Sequence, residues 1–190
     1  FIAVRVADQG LMRQAYGQLE AVRAIKMDQL GDYFSERFLD MDVLANSEDV
    51  ESVYQALKEY HDVSGATALT GINVSTQEYN GIWQKSSAQL IDYIEGSGFH
   101  DVYLICSAHG HVLFSTGKGD DLGENLVHGK LSQSGMAEVW QKVVETGKPS
   151  IADFAPYAPD NNQPVMFLGE PVYENGSMVA VLVTKLDAHG

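Results

Sequence analysis

The chain has 190 residues, 45% of them hydrophobic, enough to bury one core or two small modules but not several domains. Twelve Lys and Arg against 26 Asp and Glu give a formal net charge of −14, which argues against binding to nucleic acid or anionic lipid. A single cysteine excludes internal disulfides and four-cysteine metal centres, and no apolar run reaches the roughly eighteen residues of a membrane span.

The N-terminal part of the chain has the period of an α-helix, because apolar residues recur every three or four positions. These residues are Met12, Ala15, Leu19, Val22, Ile25, Leu30, Phe34, Phe38, Met41 and Leu44. A helix of roughly forty residues would be about 60 Å long. A small domain cannot bury that length, so we expect part of the helix to pack on a partner or to form a stalk. Residues 46–49 then break the helix, and Ser47 is expected to cap the next one.

Two shorter helices are predicted to follow. The first carries Val50, Val53, Tyr54, Leu57 and Tyr60, and residues 61–76 then form a loop. The second runs from about Gln77 to Glu95 and ends at Gly96 and Gly98. Its apolar side consists of Tyr79, Ile82, Trp83, Leu90, Tyr93 and Ile94.

Beyond Phe99 the apolar period changes to two, which predicts β-strands. The predicted strands are residues 101–107, 111–116, 151–154, 165–173 and 178–186, with a short helix over residues 136–145. Asn175-Gly176 is typical of a hairpin turn, and the last strand is apolar on both faces, so we expect it to be central. We therefore predict an α+β fold: a helical part, residues 1–98, and a core of five antiparallel strands with a crossover helix, residues 99–190.

Three stretches of the chain carry a resemblance to a known family. They are Lys26, Leu30, Tyr33, Phe34, Arg37, Asp40 and residues 43–45; residues 101–105 with 110–115; and residues 153–159 with 167–172, Gly176 and 179–182. In this order and spacing they resemble the extracytoplasmic PAS-like (Cache-type) sensor domains of bacterial transmembrane receptors, chiefly methyl-accepting chemotaxis proteins.

The resemblance implies a periplasmic domain that binds an unknown small molecule and passes a conformational change across the inner membrane. One membrane helix would precede Phe1 and a second would follow His189, so the chain would be a fragment of a membrane-anchored protein, dimeric through its N-terminal helix. Some members bind haem through Cys-x-x-Cys-His; Cys106 lacks that context, so we expect no cofactor. Others bind amino acids with an Arg- and Trp-rich helix, whereas the third helix here has Trp83 and Lys85 but no arginine. The alternative is an interaction or dimerisation module without a small-molecule ligand.

The implied pocket lies between one face of the sheet and the loops above it. Its candidate residues are Tyr103, Phe114, Asp153, Phe154, Tyr157, Met166, Leu168 and Glu170. The apolar members are explained equally well as core, Asp153 as a turn cap, and Glu170 as an exposed residue at a strand end. Tyr157 is expected in a loop, residues 155–162, which Pro156 and Pro159 stiffen into the edge of a lid.

His109-Gly110-His111 is the clearest metal-binding pattern in the chain, since two imidazoles at this spacing can share a cation. Possible oxygen ligands are Asp120, Asp121 and Glu124. Histidine and glycine are also ordinary residues in a hairpin turn, so no metal site is assigned and the question stays open.

The sequence does not favour an enzyme. It has no Gly-x-Ser-x-Gly nucleophile motif, and in the phosphate-loop-like Gly129-Lys130, Leu131 replaces the required Ser or Thr. Cys106 alternates with Val102 and Leu104 and is expected to be a buried, inert thiol. His61, His100 and His128 have no acidic partner that the sequence reveals.

Overall fold

The fold, taken from a computed structural model that describes residues 2–97 and 99–187, contains the predicted helices and strands. They are α1 Ile2–Ala45, α2 Glu48–Val63, α3 Gln77–Ser97, β1 Asp101–Cys106, β2 Val112–Ser115, α4 Gly135–Thr146, β3 Ser150–Tyr157, β4 Gln163–Glu174 and β5 Ser177–Asp187. The α+β class is confirmed. Gly98, expected to end α3, and the side chain of Tyr93 lie outside the described residues.

The chain divides into two compact units, Phe1–Asp40 and Met41–Gly190. Within the first unit, α1 exposes the apolar side chains of its predicted stripe, for example Leu19 and Ile25. Among the described residues, no helix combines the length and apolar character needed to cross a membrane. The second unit contains the hydrophobic core. The boundary predicted at residue 98, between a helical part and a sensor core, stays a prediction.

The start of α2 is set by Ser47, as predicted. Its hydroxyl oxygen accepts a hydrogen bond from the Val50 amide at 3.2 Å and so satisfies one of the free amides of the first turn. Glu48, Asp49 and Glu51 place negative charge at the positive end of the helix dipole. Local sequence therefore fixes where α1 stops and α2 begins.

All five strands pair antiparallel in the order β2-β1-β5-β4-β3, so β5 is central as its two apolar faces predict. The α4 face of the sheet carries Tyr103, Ile105, Phe167, Val181 and Val183, which form one core with α4. The α2 face is the other side and carries Leu104, Phe114, Leu168, Glu170 and Leu182.

The α2 face is covered by helices that precede the sheet in the chain. The indole of Trp83 stacks on Phe114 with ring centroids 5.9 Å apart. The Tyr79 hydroxyl donates to the carbonyl oxygen of Leu113 at 2.8 Å. These contacts attach α3 to strand β2 at the edge of the sheet.

Strand β3 is longer than predicted and changes the position of Tyr157. It continues through Pro156, which pairs with Pro164 of β4, as far as Tyr157. β3 is an edge strand, so a proline without an N–H group leaves the sheet intact. Tyr157 is 1% exposed, and the expectation that it forms the edge of a loop lid is therefore wrong.

Candidate functional site

The eight predicted pocket residues are divided between the two faces of the sheet and the surface. Tyr103 and Tyr157 lie on the α4 face; Phe114, Met166, Leu168 and Glu170 lie on the α2 face; Asp153 and Phe154 are exposed on β3. The sheet itself separates the first pair from the second group. Of these candidates, Tyr103 and Tyr157 meet at a common polar group, and a ligand-binding role for any of the eight stays a prediction.

Tyr103 and Tyr157 meet at the carboxylate of Asp121. Both tyrosine hydroxyls donate to Asp121 Oδ2 at 2.9 Å. Asp121 is 2% exposed, and its Oδ1 has no hydrogen-bond partner among the described residues. Burial raises the pKa of Asp121, and the two tyrosine hydrogen bonds oppose that rise. Burial and the charge of Asp121 raise the pKa of both tyrosines, so their hydroxyls stay protonated and donating.

The loop after β2 is folded around a second carboxylate, that of Asp101. Asp101 Oδ1 accepts hydrogen bonds from the Gly117 amide at 3.1 Å and from the Thr116 hydroxyl. A Cβ at position 117 would lie 2.8 Å from Asp101 Oδ2, so only glycine lets the backbone approach this closely. The loop then continues to Asp121 and holds it against the sheet.

Lys185 of β5 brings a positive charge to the same end of the sheet. Its Nζ lies 2.8 Å from Asp160 Oδ2 and 4.0 Å from Asp101 Oδ2. We call Tyr103, Tyr157, Asp101, Asp121, Asp160 and Lys185 the acidic cluster. It holds three carboxylates and one ammonium, an excess of two carboxylates.

A cavity of about 170 Å³ adjoins the acidic cluster. Its lining residues are Asp120, Lys130, Leu131, Ala158 and Pro159, which include the chain neighbours of Asp121 and Tyr157. The residues of the acidic cluster are not among those that line this cavity, so it lies beside the cluster and not at the Asp121 carboxylate itself.

Glu170 is buried on the α2 face, which decides between the two sequence interpretations of this residue. Its side chain is 5% exposed, and its Oε2 has no hydrogen-bond partner among the described residues. Burial, assisted by the charge of Asp42, raises the pKa of Glu170 to about 7. Glu170 is therefore a carboxyl group that titrates near neutrality inside the core.

A second polar group, the histidine cluster, consists of His61 from α2 with His109 and His111 from the β1–β2 connection. One ring nitrogen from each lies within 4.8 Å of the others. His61 Nε2 is 2.9 Å from His111 Nδ1. The sequence pattern found the pair at 109 and 111 but missed His61. The spacing from buried Tyr54 through Leu57 to His61 continues the buried face of α2 and was the available signal.

Gly110 brings His109 and His111 to the same side of the turn. It adopts φ of +69°, a left-handed conformation that favours glycine. A Cβ there would lie 3.2 Å from Trp140, whose indole Nε1 donates to the Cys106 carbonyl at 3.1 Å. The rings of His109 and His111 consequently have centroids 5.6 Å apart.

The acidic residues considered as metal ligands lie elsewhere. Asp121 accepts from the two tyrosines, Glu124 pairs with Lys130 at 3.2 Å, and Asp120 lines the cavity beside the acidic cluster. Among the described residues, the group with ligand atoms close enough to share one ion is made of histidines alone.

No protein-family model matches the chain, and neither does any curated protein. Solved structures that align with it include sensor and ligand-binding domains of receptors. The sensor domain of the Vibrio cholerae histidine kinase DctB is 18% identical over 80% of this chain and 57% of its own, with a TM-score of 0.40. The sensory domain of the Campylobacter jejuni chemoreceptor Tlp3 is 17% identical over 82% and 65%, with a TM-score of 0.41. The ligand-binding domain of the Pseudomonas fluorescens chemoreceptor CtaA, in complex with L-serine, is 13% identical over 82% and 60%, with a TM-score of 0.36.

The chain spans less than two thirds of the length of each of these domains.

Proposed function

We propose that this domain is the extracytoplasmic small-molecule sensor of a transmembrane receptor of the chemotaxis type, and that its acidic cluster binds a ligand carrying a protonated amine. The observation that carries the proposal is the carboxylate of Asp121. It is buried, two hydroxyls hold one of its oxygens, and the other has no partner among the described residues. Burying a carboxylate is costly unless it is paired, and a ligand ammonium supplies both the charge and the hydrogen-bond donors.

The charge of the cluster supports a cationic ligand. With Asp101, Asp121 and Asp160 against Lys185 alone, the site has an excess of two carboxylates. The chain as a whole carries a formal net charge of −14, so its field attracts cations and repels anions. A small anion would need a free basic group. Lys185 is bonded to Asp160 at 2.8 Å, and Lys130, which lines the cavity, is paired with Glu124 at 3.2 Å.

Lys185 also connects ligand binding at the acidic cluster to a change in β5. A ligand ammonium that bonds the same carboxylates competes with the Lys185 side chain, which is carried by β5. We infer that releasing Lys185 from Asp160 loosens the C-terminal end of β5, which in the proposed receptor would lead to the second membrane helix. The ligand drives this change only by the difference in its affinity for the two arrangements.

The test is a ligand screen of the purified domain by thermal shift, followed by calorimetry. The panel pairs primary amines, diamines and amino acids with carboxylates that lack an amine. At a ligand concentration of about 100 Kd, binding stabilises the native state by about 2.7 kcal/mol. That corresponds to a rise in Tm of about 5–10 °C for a protein of this size. We expect such a rise with at least one amine and none with the matched carboxylates.

The Asp121→Asn variant separates ligand binding from folding. The asparagine oxygen still accepts from both tyrosine hydroxyls, while the negative charge is lost. We expect the ligand-induced rise in Tm to disappear, and the exposed Asp153→Asn change to leave it intact. Undiminished binding by the Asp121→Asn variant, or a wild-type domain that no amine stabilises, would contradict the proposal.

Dimerisation through α1 is a second candidate function, favoured by the exposed apolar side chains of this helix. Met12, Leu19, Val22, Ile25 and Leu30 are between 52% and 65% exposed. Each residue turns the helix by about 100°, so these five side chains lie within an arc of about 140°, and pairing with the same helix of a second copy would bury them. A domain that dimerises but binds no small molecule would be an interaction module. The thermal-shift ligand screen distinguishes such a module from a sensor.

A further inference from the structure

We propose that the histidine cluster is a binding site for one divalent transition-metal ion, held by His61, His109 and His111. Imidazole nitrogen is a preferred ligand of Zn²⁺, Cu²⁺ and Ni²⁺. The three ring nitrogens, from two separate segments of the chain, lie within 4.8 Å of one another. This site lies apart from the acidic cluster, shares no residue with it, and stands whether or not that cluster binds an amine.

The distance between the two nearest nitrogens suits a shared ion. His61 Nε2 and His111 Nδ1 are 2.9 Å apart. Two nitrogens bound about 2.05 Å from one metal are about 2.9 Å apart at a right angle and about 3.3 Å apart in a tetrahedron. Square-planar or octahedral coordination needs no movement of this pair. Tetrahedral coordination needs the distance between the two nitrogens to increase by about 0.4 Å.

The outer nitrogen of His111 is already paired with an oxygen. His111 Nε2 lies 2.7 Å from the carbonyl oxygen of Thr70 and 3.1 Å from that of Thr67. Asn125 Nδ2 also lies 3.1 Å from His111 Nε2, but its two hydrogens are donated to the carbonyl oxygens of Ala68 and Thr70. The carbonyl oxygens only accept, so Nε2 carries the hydrogen and Nδ1 keeps its lone pair. Metal-binding histidines commonly donate their other ring N–H in this way.

His61 follows the same arrangement. Its Nδ1 lies 3.2 Å from Asp62 Oδ1, a carboxylate oxygen that accepts, so the hydrogen belongs on Nδ1. Its Nε2 then faces His111 Nδ1, and both nitrogens point lone pairs at the same place. Two lone pairs repel unless a cation, either a proton or a metal ion, lies between them. The hydrogen-bond partners of both rings therefore leave one lone pair on each ring available to bind a metal ion.

His109 supplies the third nitrogen. Its ring stacks on His61, with centroids 6.0 Å apart and planes inclined by 19°. Its Nδ1 is buried and has no hydrogen-bond partner among the described residues. A buried polar nitrogen without a partner costs free energy, which coordination of an ion would recover.

The surrounding structure holds the cluster rigidly. His111 is fully buried beside Asn125, whose side-chain oxygen accepts from the Val127 and His128 amides at 2.8 and 2.9 Å. The amide nitrogen of Asn125 donates to the Ala68 carbonyl at 3.0 Å, which fixes the loop whose carbonyls orient His111.

A cavity of about 240 Å³ opens beside the cluster and leaves room for further ligands of the ion. His61 and His109 form part of its wall, together with Lys58, Asp62 and Cys106. Three histidines with an open side are typical of sites that complete their coordination with water or a small exogenous ligand. The ion would therefore be reached from this cavity.

The experiment is calorimetric titration of the tag-free, metal-stripped domain with Zn²⁺, Ni²⁺ or Cu²⁺, with Mg²⁺ and Ca²⁺ as ions that prefer oxygen. We expect saturable binding of one transition-metal ion per chain and none of the oxygen-preferring ions. The electron paramagnetic resonance spectrum of the Cu²⁺-loaded domain should show nitrogen coupling, which an ion held by surface carboxylates would not produce.

Two variants locate the ion. His61→Gln and His109→Gln change partly exposed residues and spare buried His111, so the domain should remain folded by circular dichroism. Each should weaken binding at least tenfold, whereas His128→Gln, an exposed histidine outside the cluster, should bind as the wild type does. No saturable binding by the wild type, or equal affinities in all three variants and the wild type, would overturn the proposal.

Discussion

Replacing Glu170 by Gln should stabilise the domain relative to the wild type, and this advantage should be larger at alkaline pH than at mildly acidic pH. In the native state the pKa of Glu170 is about 7, against 4.5 for the ordinary carboxyl group. The native state therefore binds this proton more tightly than the unfolded state, and stability falls as pH rises from about 4.5 to about 7. Glutamine cannot ionise, so the Glu170→Gln variant lacks this loss.

The magnitude follows from the size of the shift. A difference of about 2.5 pKa units corresponds to about 3 kcal/mol, the full loss above pH 7. The side chain is 5% exposed, so solvent screens little of the effect. At about pH 5.5 the wild type has already lost about 1.4 kcal/mol of its unfolding free energy through ionisation of Glu170. Between about pH 5.5 and about pH 8 it should therefore lose about 2 kcal/mol more.

The assay is urea unfolding followed by circular dichroism at both pH values, for the wild type and the variant. The advantage of the Glu170→Gln variant should grow by about 2 kcal/mol at the higher pH, or about 4–8 °C in Tm. Glu59→Gln, an exposed change on α2, is the matched control and should show no such growth. An advantage that is equal at the two pH values would refute the assignment of Glu170 as the buried titrating group.

Two further predictions concern the helices. Ser47→Ala should cost about 1 kcal/mol in urea unfolding, because the Val50 amide loses its cap, whereas the exposed Ser52→Ala on the same helix should be nearly neutral. Leu19→Glu should convert a dimer into a monomer in light-scattering chromatography if α1 pairs with its copy, and Gln18→Glu should not. A dimer that survives Leu19→Glu would place the contact elsewhere.

Local signals predicted most of the fold. Ser47 marked a helix start, Asn175-Gly176 marked a hairpin, and the apolar faces of β5 marked a central strand; the structure confirms all three. The predicted end of β3 is wrong, because proline usually indicates a loop but here lies within the strand. On an edge strand Pro156 loses no ladder hydrogen bond, and strand order is not visible in a local pattern.

The candidate sites were less predictable, because they depend on contacts between distant segments. Alternation along β1 and β4 gave the correct side-chain directions, but not that Tyr103 and Glu170 lie on opposite faces of the sheet. Asp121 reaches Tyr157 only after the sheet has formed, 36 residues apart in the chain. His61 and His111 are likewise 50 residues apart, and only the packing of α2 brings them together.

The central place of β5 has a consequence for how the domain is made. β5 is the last of the five strands to leave the ribosome, yet it alone joins β1 and β2 to β4 and β3. Until it is synthesised, the two outer pairs of strands have no common partner, and each presents an unpaired edge. Such edges invite pairing with other chains. We therefore expect mutations that slow the insertion of β5 to reduce the yield of folded protein more than its final stability.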